Sequence, residues 1–169
     1  MVNVPQATWI DETGRIVRPP ENAGQSDTFR SMDRATGQMT PEQVAERARI
    51  KSVYVKAIRD WVPKGSHSEH AFDPGQARAH LRLPDADAAQ GHVHFRLAQH
   101  LKHAGRDDEA ARHFAEASRL HPSSWTIFRQ AAPKSGTGTA SGPDFWARVD
   151  ALGDEAYHLP INMKGIAPR

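Results

Sequence analysis

A chain of 169 residues without a cysteine can build neither a disulfide, a thiolate metal site nor a thiol nucleophile, and its length suits one domain or a little more. Apolar residues make up only 38%, and 12 Gly with 12 Pro call for many turns, so the core is expected to be modest and segmented. The 22 basic and 20 acidic residues nearly balance and form no block, which argues against a nucleic-acid surface; no apolar run is long enough to span a membrane and no signal core follows Met1, so a cytoplasmic location is expected.

The first element is a β-hairpin. Val2 to Ile10 and Arg15 to Val17 are β-rich runs around Asp11-Glu12-Thr13-Gly14, with Gly14 at the turn position that needs positive φ. Two strands alone are marginal in water and leave their edges exposed. The pattern Val4-Pro5-x-x-x-x-Ile10-Asp11-x-x-Gly14-x-Ile16-Val17 resembles the last hairpin of thioredoxin-like proteins, the redoxins in particular. That resemblance covers about twenty residues. It implies that Pro5, preceded by Val4, is the family's cis-proline, which faces a Cys-x-x-Cys motif. It further implies that the chain is the C-terminal part of a longer protein, because the family's cysteine-bearing half is absent. The other reading is a plain hairpin with a trans proline.

Residues 18–26, led by Pro19-Pro20, read as a polar connector, followed by a short helical turn near Phe29 and Met32. A long helix starts at Thr40-Pro41-Glu42-Gln43, a capping-box sequence with proline in the first turn, and runs to about Val62 before Pro63-Lys64-Gly65. It carries two apolar stripes: Val44, Ala48, Val55, Ile58 and Val62, and Ile50, Tyr54, Ala57 and Trp61. So broad a surface predicts contacts on two sides, bridging hairpin and helical repeat. Asp73-Pro74 caps a short helix through Leu81.

Residues 91–124 then carry His94-x-x-Leu97-Ala98-x-x-Leu101, Gly105, Ala110-x-x-x-Phe114, Ala117 and Pro122. This spacing is similar to that of a tetratricopeptide repeat, a helical hairpin of about 34 residues. Leu97 and Leu101 stand one turn apart, Ala98 is small enough for a close helix, and Gly105 permits the left-handed end of the first helix. His94, Ala98 and Leu101 replace the repeat's Trp, Gly and Tyr. A chance match by an ordinary amphipathic helix pair is the alternative. Ser124 to Ala132 is expected to be a capping helix with Trp125 and Phe128 on the hairpin. Residues 133–142 form a linker, Pro143 opens a helix with Phe145, Val149 and Leu152 on one face, and the tail from His158 is expected on the surface or disordered.

The expected fold class is therefore mainly α: a β-hairpin followed by helices that include one repeat-like pair. Its expected divisions are residues 1–30 (hairpin and connector), 40–132 (helical region), 133–142 (linker) and 143–169 (last helix and tail). Resemblance to the repeat family assigns a peptide-contact face to His92, Phe95, Gln99, Lys102 and His103, which would suit an acidic or carboxylate-ended peptide. An ordinary amphipathic face is the alternative. Ten histidines invite a metal reading, yet His67 and His70 lie in a loop and no carboxylate completes a set with His92, His94, His100 and His103 on their helix, so no metal or cofactor is expected. The expected function is a non-catalytic interaction segment of a redoxin-like protein, with a protein or peptide partner and self-association through the hairpin edge. The alternatives are a piece of a thiol-disulfide oxidoreductase or peroxide-reducing protein and a histidine-rich metal binder.

Overall fold

The computed structural model describes residues 5–134, 138 and 140–166. It is mainly helical, with a two-stranded antiparallel sheet ahead of the helices. No helix among the described residues is long and apolar enough to cross a membrane. The chain divides into two compact units, one formed by residues 3–82 and 152–169, the other chiefly by residues 83–151. This division departs from the expected one, because the long helix lies with the hairpin rather than with the repeat-like pair.

In the hairpin unit, β1 (Gln6–Ile10) pairs with β2 (Ile16–Asn22) around the expected turn. The Asp11 carboxylate accepts the backbone N–H groups of Thr13 and Arg15, both at 3.0 Å, and Gly14 has φ 80°. These bonds hold Asp11 below the usual carboxylate range, the Thr13 hydroxyl being the largest cause. β2 runs on through Pro19 and Pro20, which the sequence reading placed in a connector. The pairing shows why: Ala7 faces Glu21 but Trp9 faces Arg18 and Ile10 faces Ile16, so β2 carries an extra residue at each of two bulges. Bulges free the chain from regular pairing and there tolerate proline. They also break the alternation of faces, so that Val17, Arg18 and Pro19 are all buried in succession.

Among the described residues no further strand joins the hairpin. It packs on α1 (Pro41–Lys64), which begins with the expected capping box: Gln43 N–H donates to the Thr40 hydroxyl, and Thr40 N–H to the Gln43 side chain at 2.9 Å. Of the two apolar stripes, Ile50, Tyr54 and Ala57 are buried with Trp61 packed beside them, whereas Val44 and Val62 are more than half exposed. The helix also passes through Pro63, in its last turn, before Gly65 ends it. Gly24 lets the chain after β2 come close to α1, since a Cβ there would meet the Cβ of Tyr54 at 2.9 Å. α2 (Pro74–His80) follows, capped by Asp73 and Gln76.

The largest correction concerns the tail, which is neither peripheral nor disordered over its described part. Tyr157, Ile161, Met163 and Ile166 are buried, and the last three close the core made by Trp9, Val17, Ile50, Tyr54 and Ala57. A segment with little regular structure must find partners for its backbone elsewhere. Here upstream side chains supply them. Arg18 donates to the carbonyl of Asn162 at 2.8 Å, Arg30 to those of Gly153 and Glu155 at 2.7 Å, and Arg49 to that of Gly165 at 2.7 Å. The Asp27 carboxylate accepts the N–H groups of Tyr157 and His158.

The helical unit consists of α3 (Ala86–His103), α4 (Asp107–Leu120), α5 (Trp125–Ala131) and α6 (Pro143–Asp150). α3 and α4 form the expected antiparallel pair, with Gly105 at φ 72° in the turn between them. Ala98, Ala110 and Ala117 are essentially inaccessible, which lets the helix axes approach, and Phe95, Leu101, Phe114 and Ile127 fill the space around them. Leu97, expected in this core, is 40% exposed; Phe95 occupies the facing position instead. Near the start of α3, Gly91 lies against α4, where a Cβ would meet the Cβ of His121 at 3.1 Å and the carbonyl of Ala117 at 3.3 Å. α5 contributes Ile127, not the expected Trp125 and Phe128, to the α3–α4 core. Trp125 is edge-on to Phe145 of α6 at 5.9 Å, and the Arg148 guanidinium lies over Trp125 and Phe128. Phe145 and Val149 are buried as expected, and residues 135–137 and 139 of the expected linker lie outside the described residues.

Candidate functional site

The helical unit carries an open groove of about 410 Å³ lined by the end of α3, the outer face of α4 and the end of α5. Its geometry follows from helical spacing. Ala110, Phe114 and Ala117 face α3, so Ala111, Ala115 and Ser118 stand beside them on the flank of α4, spaced four and three residues apart. Small side chains on that flank leave the groove open, and the edge of Phe114 with Ala131 completes an apolar floor. Ser118 contributes no free donor, because its hydroxyl is bonded to the carbonyl of Phe114 at 2.9 Å.

Charge collects at one end. Lys102 lines the groove from α3 and makes no ion pair among the described residues. Lys134, just past α5, is bonded to the carbonyl of Arg129. Burial first, and then the neighbouring charges of Lys102 and Arg129, hold the Lys134 ammonium below the usual lysine range. Lys134 thus lies near two other cations, and grouped cations attract an anion. Asp107, at the first position of α4, is the acidic residue of the lining. Nothing in this arrangement presents a nucleophile with a base beside it. The groove offers an apolar floor beside positive charge.

The five residues assigned from the repeat resemblance do not act together. Lys102 lines the groove. His92 is half-buried with its ring edge-on to His121 at 5.1 Å, and Gln99 accepts a bond from Arg96 at 3.3 Å. His103 is exposed at the end of α3. Phe95 is the correction: it is 7% exposed, its ring 6.0 Å from that of Phe114, and it belongs to the core rather than to a contact face. The residues that the sequence reading missed lie on α4. Their signal was a pair of alanines, Ala111 and Ala115, one turn apart and surplus to the stripe that packs on α3.

Pro5 precedes β1, is exposed, and accepts a bond from the N–H of Ala23 at 3.2 Å; Val4 lies outside the described residues. In the hairpin unit, the polar cluster at Arg18 is a structural knot. Its guanidinium makes paired bonds to Glu21 at 2.8 and 2.9 Å, reaches the carbonyls of His70 and Asn162, and stacks 4.0 Å from the centre of Phe72. Tyr54 donates to Glu21 at 3.1 Å and accepts from the indole of Trp9 at 3.0 Å, and burial pushes its hydroxyl well above the usual tyrosine range. All three guanidinium nitrogens of Arg18 thus donate within the unit. No group of three or more His, Asp or Glu among the described residues is placed to hold a metal ion. No family model matches the chain, and neither a curated protein nor a solved structure matches it.

Proposed function

We propose that the helical unit is a non-catalytic interaction module whose α4 groove takes a short acidic peptide segment. The observation that carries this reading is the apolar floor of Ala111, Phe114, Ala115 and Ala131 beside Lys102, which together with Arg129 repels the nearby ammonium of Lys134. An apolar side chain of the ligand would lie on the floor while its carboxylate relieves that repulsion. An open, shallow groove implies weak binding, with specificity coming from charge more than from area. The resemblance of α3 and α4 to a tetratricopeptide repeat is in keeping with such a role. The hairpin unit, with its redoxin-like turn, would serve as the mount of this module.

The test is fluorescence anisotropy of the full chain with a labelled peptide of alternating leucine and glutamate, ending in a free carboxylate. Its lysine counterpart is the control. Lys102→Glu with Lys134→Glu should weaken the acidic peptide by about tenfold or more, and added salt should weaken it further. Equal binding of both peptides, or no loss in the charge-reversed variant, would overturn the reading.

A further inference from the structure

Sequence spacing relates His67 to His70 in a loop, and His92, His94, His100 and His103 along one helix. The fold instead places a pair across two helices. His94 of α3 and His113 of α4, nineteen positions apart, face each other with Nδ1 to Nδ1 at 2.8 Å, ring centroids 5.0 Å apart and planes inclined by 35°. Both side chains are half-buried. At this separation one Nδ1 carries the proton and the other accepts it. Moving the donor's proton to its own Nε2 leaves the ring neutral and turns both Nδ1 lone pairs toward one point.

We propose that His94 and His113 form a two-histidine site for an imidazole-preferring divalent d-block cation, with zinc as the reference ion, which clips α3 to α4. Zinc–nitrogen bonds of about 2.0–2.1 Å on a tetrahedral centre set the two nitrogens about 3.3 Å apart, so the rings need to part by only about 0.5 Å. The surroundings tolerate a cation. On α4, Glu116 lies close enough to His94, and Glu109 close enough to His113, for each pair to interact electrostatically. Those carboxylates are themselves paired with Arg119 and Arg106, and Arg112 lies near Glu109, so the local charge is close to balanced. No third protein ligand is grouped with the pair among the described residues, and water completes the coordination. That predicts modest affinity and a preference for zinc or copper over magnesium or calcium, which seek oxygen. Because the two ligands meet only in the folded hairpin, binding must stabilise it.

The experiment is a thermal melt and a calorimetric titration of the full chain with zinc chloride near neutral pH. A single zinc ion per chain is expected. At about ten times the dissociation constant the melting temperature should rise by roughly 3–6 °C. His94→Asn or His113→Asn should abolish both effects, while His100→Asn with His103→Asn should leave them intact. In case the single variants unfold, long-range ¹H–¹⁵N spectra of the unmodified protein provide an independent reading: zinc should shift the Nδ1 resonances of His94 and His113 selectively. No binding up to about 100 µM zinc, binding that survives either substitution in a folded variant, or shifts confined to other histidines would overturn the proposal.

Discussion

Replacing Arg18 with methionine should be among the most damaging changes available to the hairpin unit. The side chain is 1% exposed, holds Glu21 by two bonds and satisfies one carbonyl each from His70 and Asn162. Methionine retains much of the volume between Phe72 and Trp9 but leaves Glu21 with only the Tyr54 hydroxyl and strands both carbonyls. Breaking a buried ion pair costs about 3–5 kcal/mol, and each stranded carbonyl about 1–3 kcal/mol, though the two costs overlap. Glu21 is 17% exposed and can regain some water, which favours the lower end. Apolar contacts of the methionine offset about 1 kcal/mol. The expected loss is about 3–4 kcal/mol, a large share of the 5–15 kcal/mol of a typical domain. Urea denaturation followed by near-ultraviolet circular dichroism measures it. Hydrogen exchange locates it: the amides of Met163 and Ile166, bonded to the carbonyls of Ile161 and Met163, should lose protection first because Arg18 anchors Asn162. Adding Glu21→Gln to Arg18→Met should restore about 1–3 kcal/mol by removing the unpaired charge. A loss below about 1 kcal/mol, or unchanged exchange in the tail, would refute the idea that this arginine knots the unit together.

Phe114→Ala should cost the helical unit about 3–5 kcal/mol, against less than about 0.5 kcal/mol for the exposed Lys102→Ala; similar urea midpoints for the two would show that Phe114 is not core. Gly91→Ala sets two effects against each other. Helix propensity favours alanine by about 1 kcal/mol, but its Cβ would press on the Ala117 carbonyl at 3.3 Å and the His121 Cβ at 3.1 Å, so a net loss of about 1 kcal/mol is expected, and a higher melting temperature would contradict the close approach. Burial holds His158 and His121 below the ordinary histidine value of 6.5, with Asp27 partly opposing this at His158 and His92 reinforcing it at His121. The unfolded chain therefore binds more protons as pH falls below that value. Stability should be full near neutral pH and decline toward about pH 5, and His158→Gln with His121→Gln should flatten the decline measured by urea titration.

Local signals in this chain were readable because the forces behind them act over a few residues. The Asp11–Gly14 turn, the Thr40–Gln43 and Asp73 caps, Gly105 and the return stripe of α4 each satisfy backbone groups or repeat at a helical period, and all appear in the fold as expected. Which face of an element is buried was a different matter. Phe95 and Leu97 are equally apolar and two residues apart on α3, and only the positions of α4 and α5 decide that Phe95 goes inside. The groove was hidden for the same reason: Lys102 and Lys134 are far apart in sequence, and it takes α5 to bring their charges together. The tail is the extreme case. Its sequence has almost no periodicity, and its backbone is satisfied by Arg18, Arg30, Arg49 and Asp27, each more than a hundred positions upstream. In the sequence those residues looked like solvated charges. Sequence determined the elements and their caps, because these are settled between near neighbours; tertiary structure decided the burial of the tail and Arg18, the α4 groove and the meeting of His94 with His113, because each depends on pairing residues that local chemistry leaves independent.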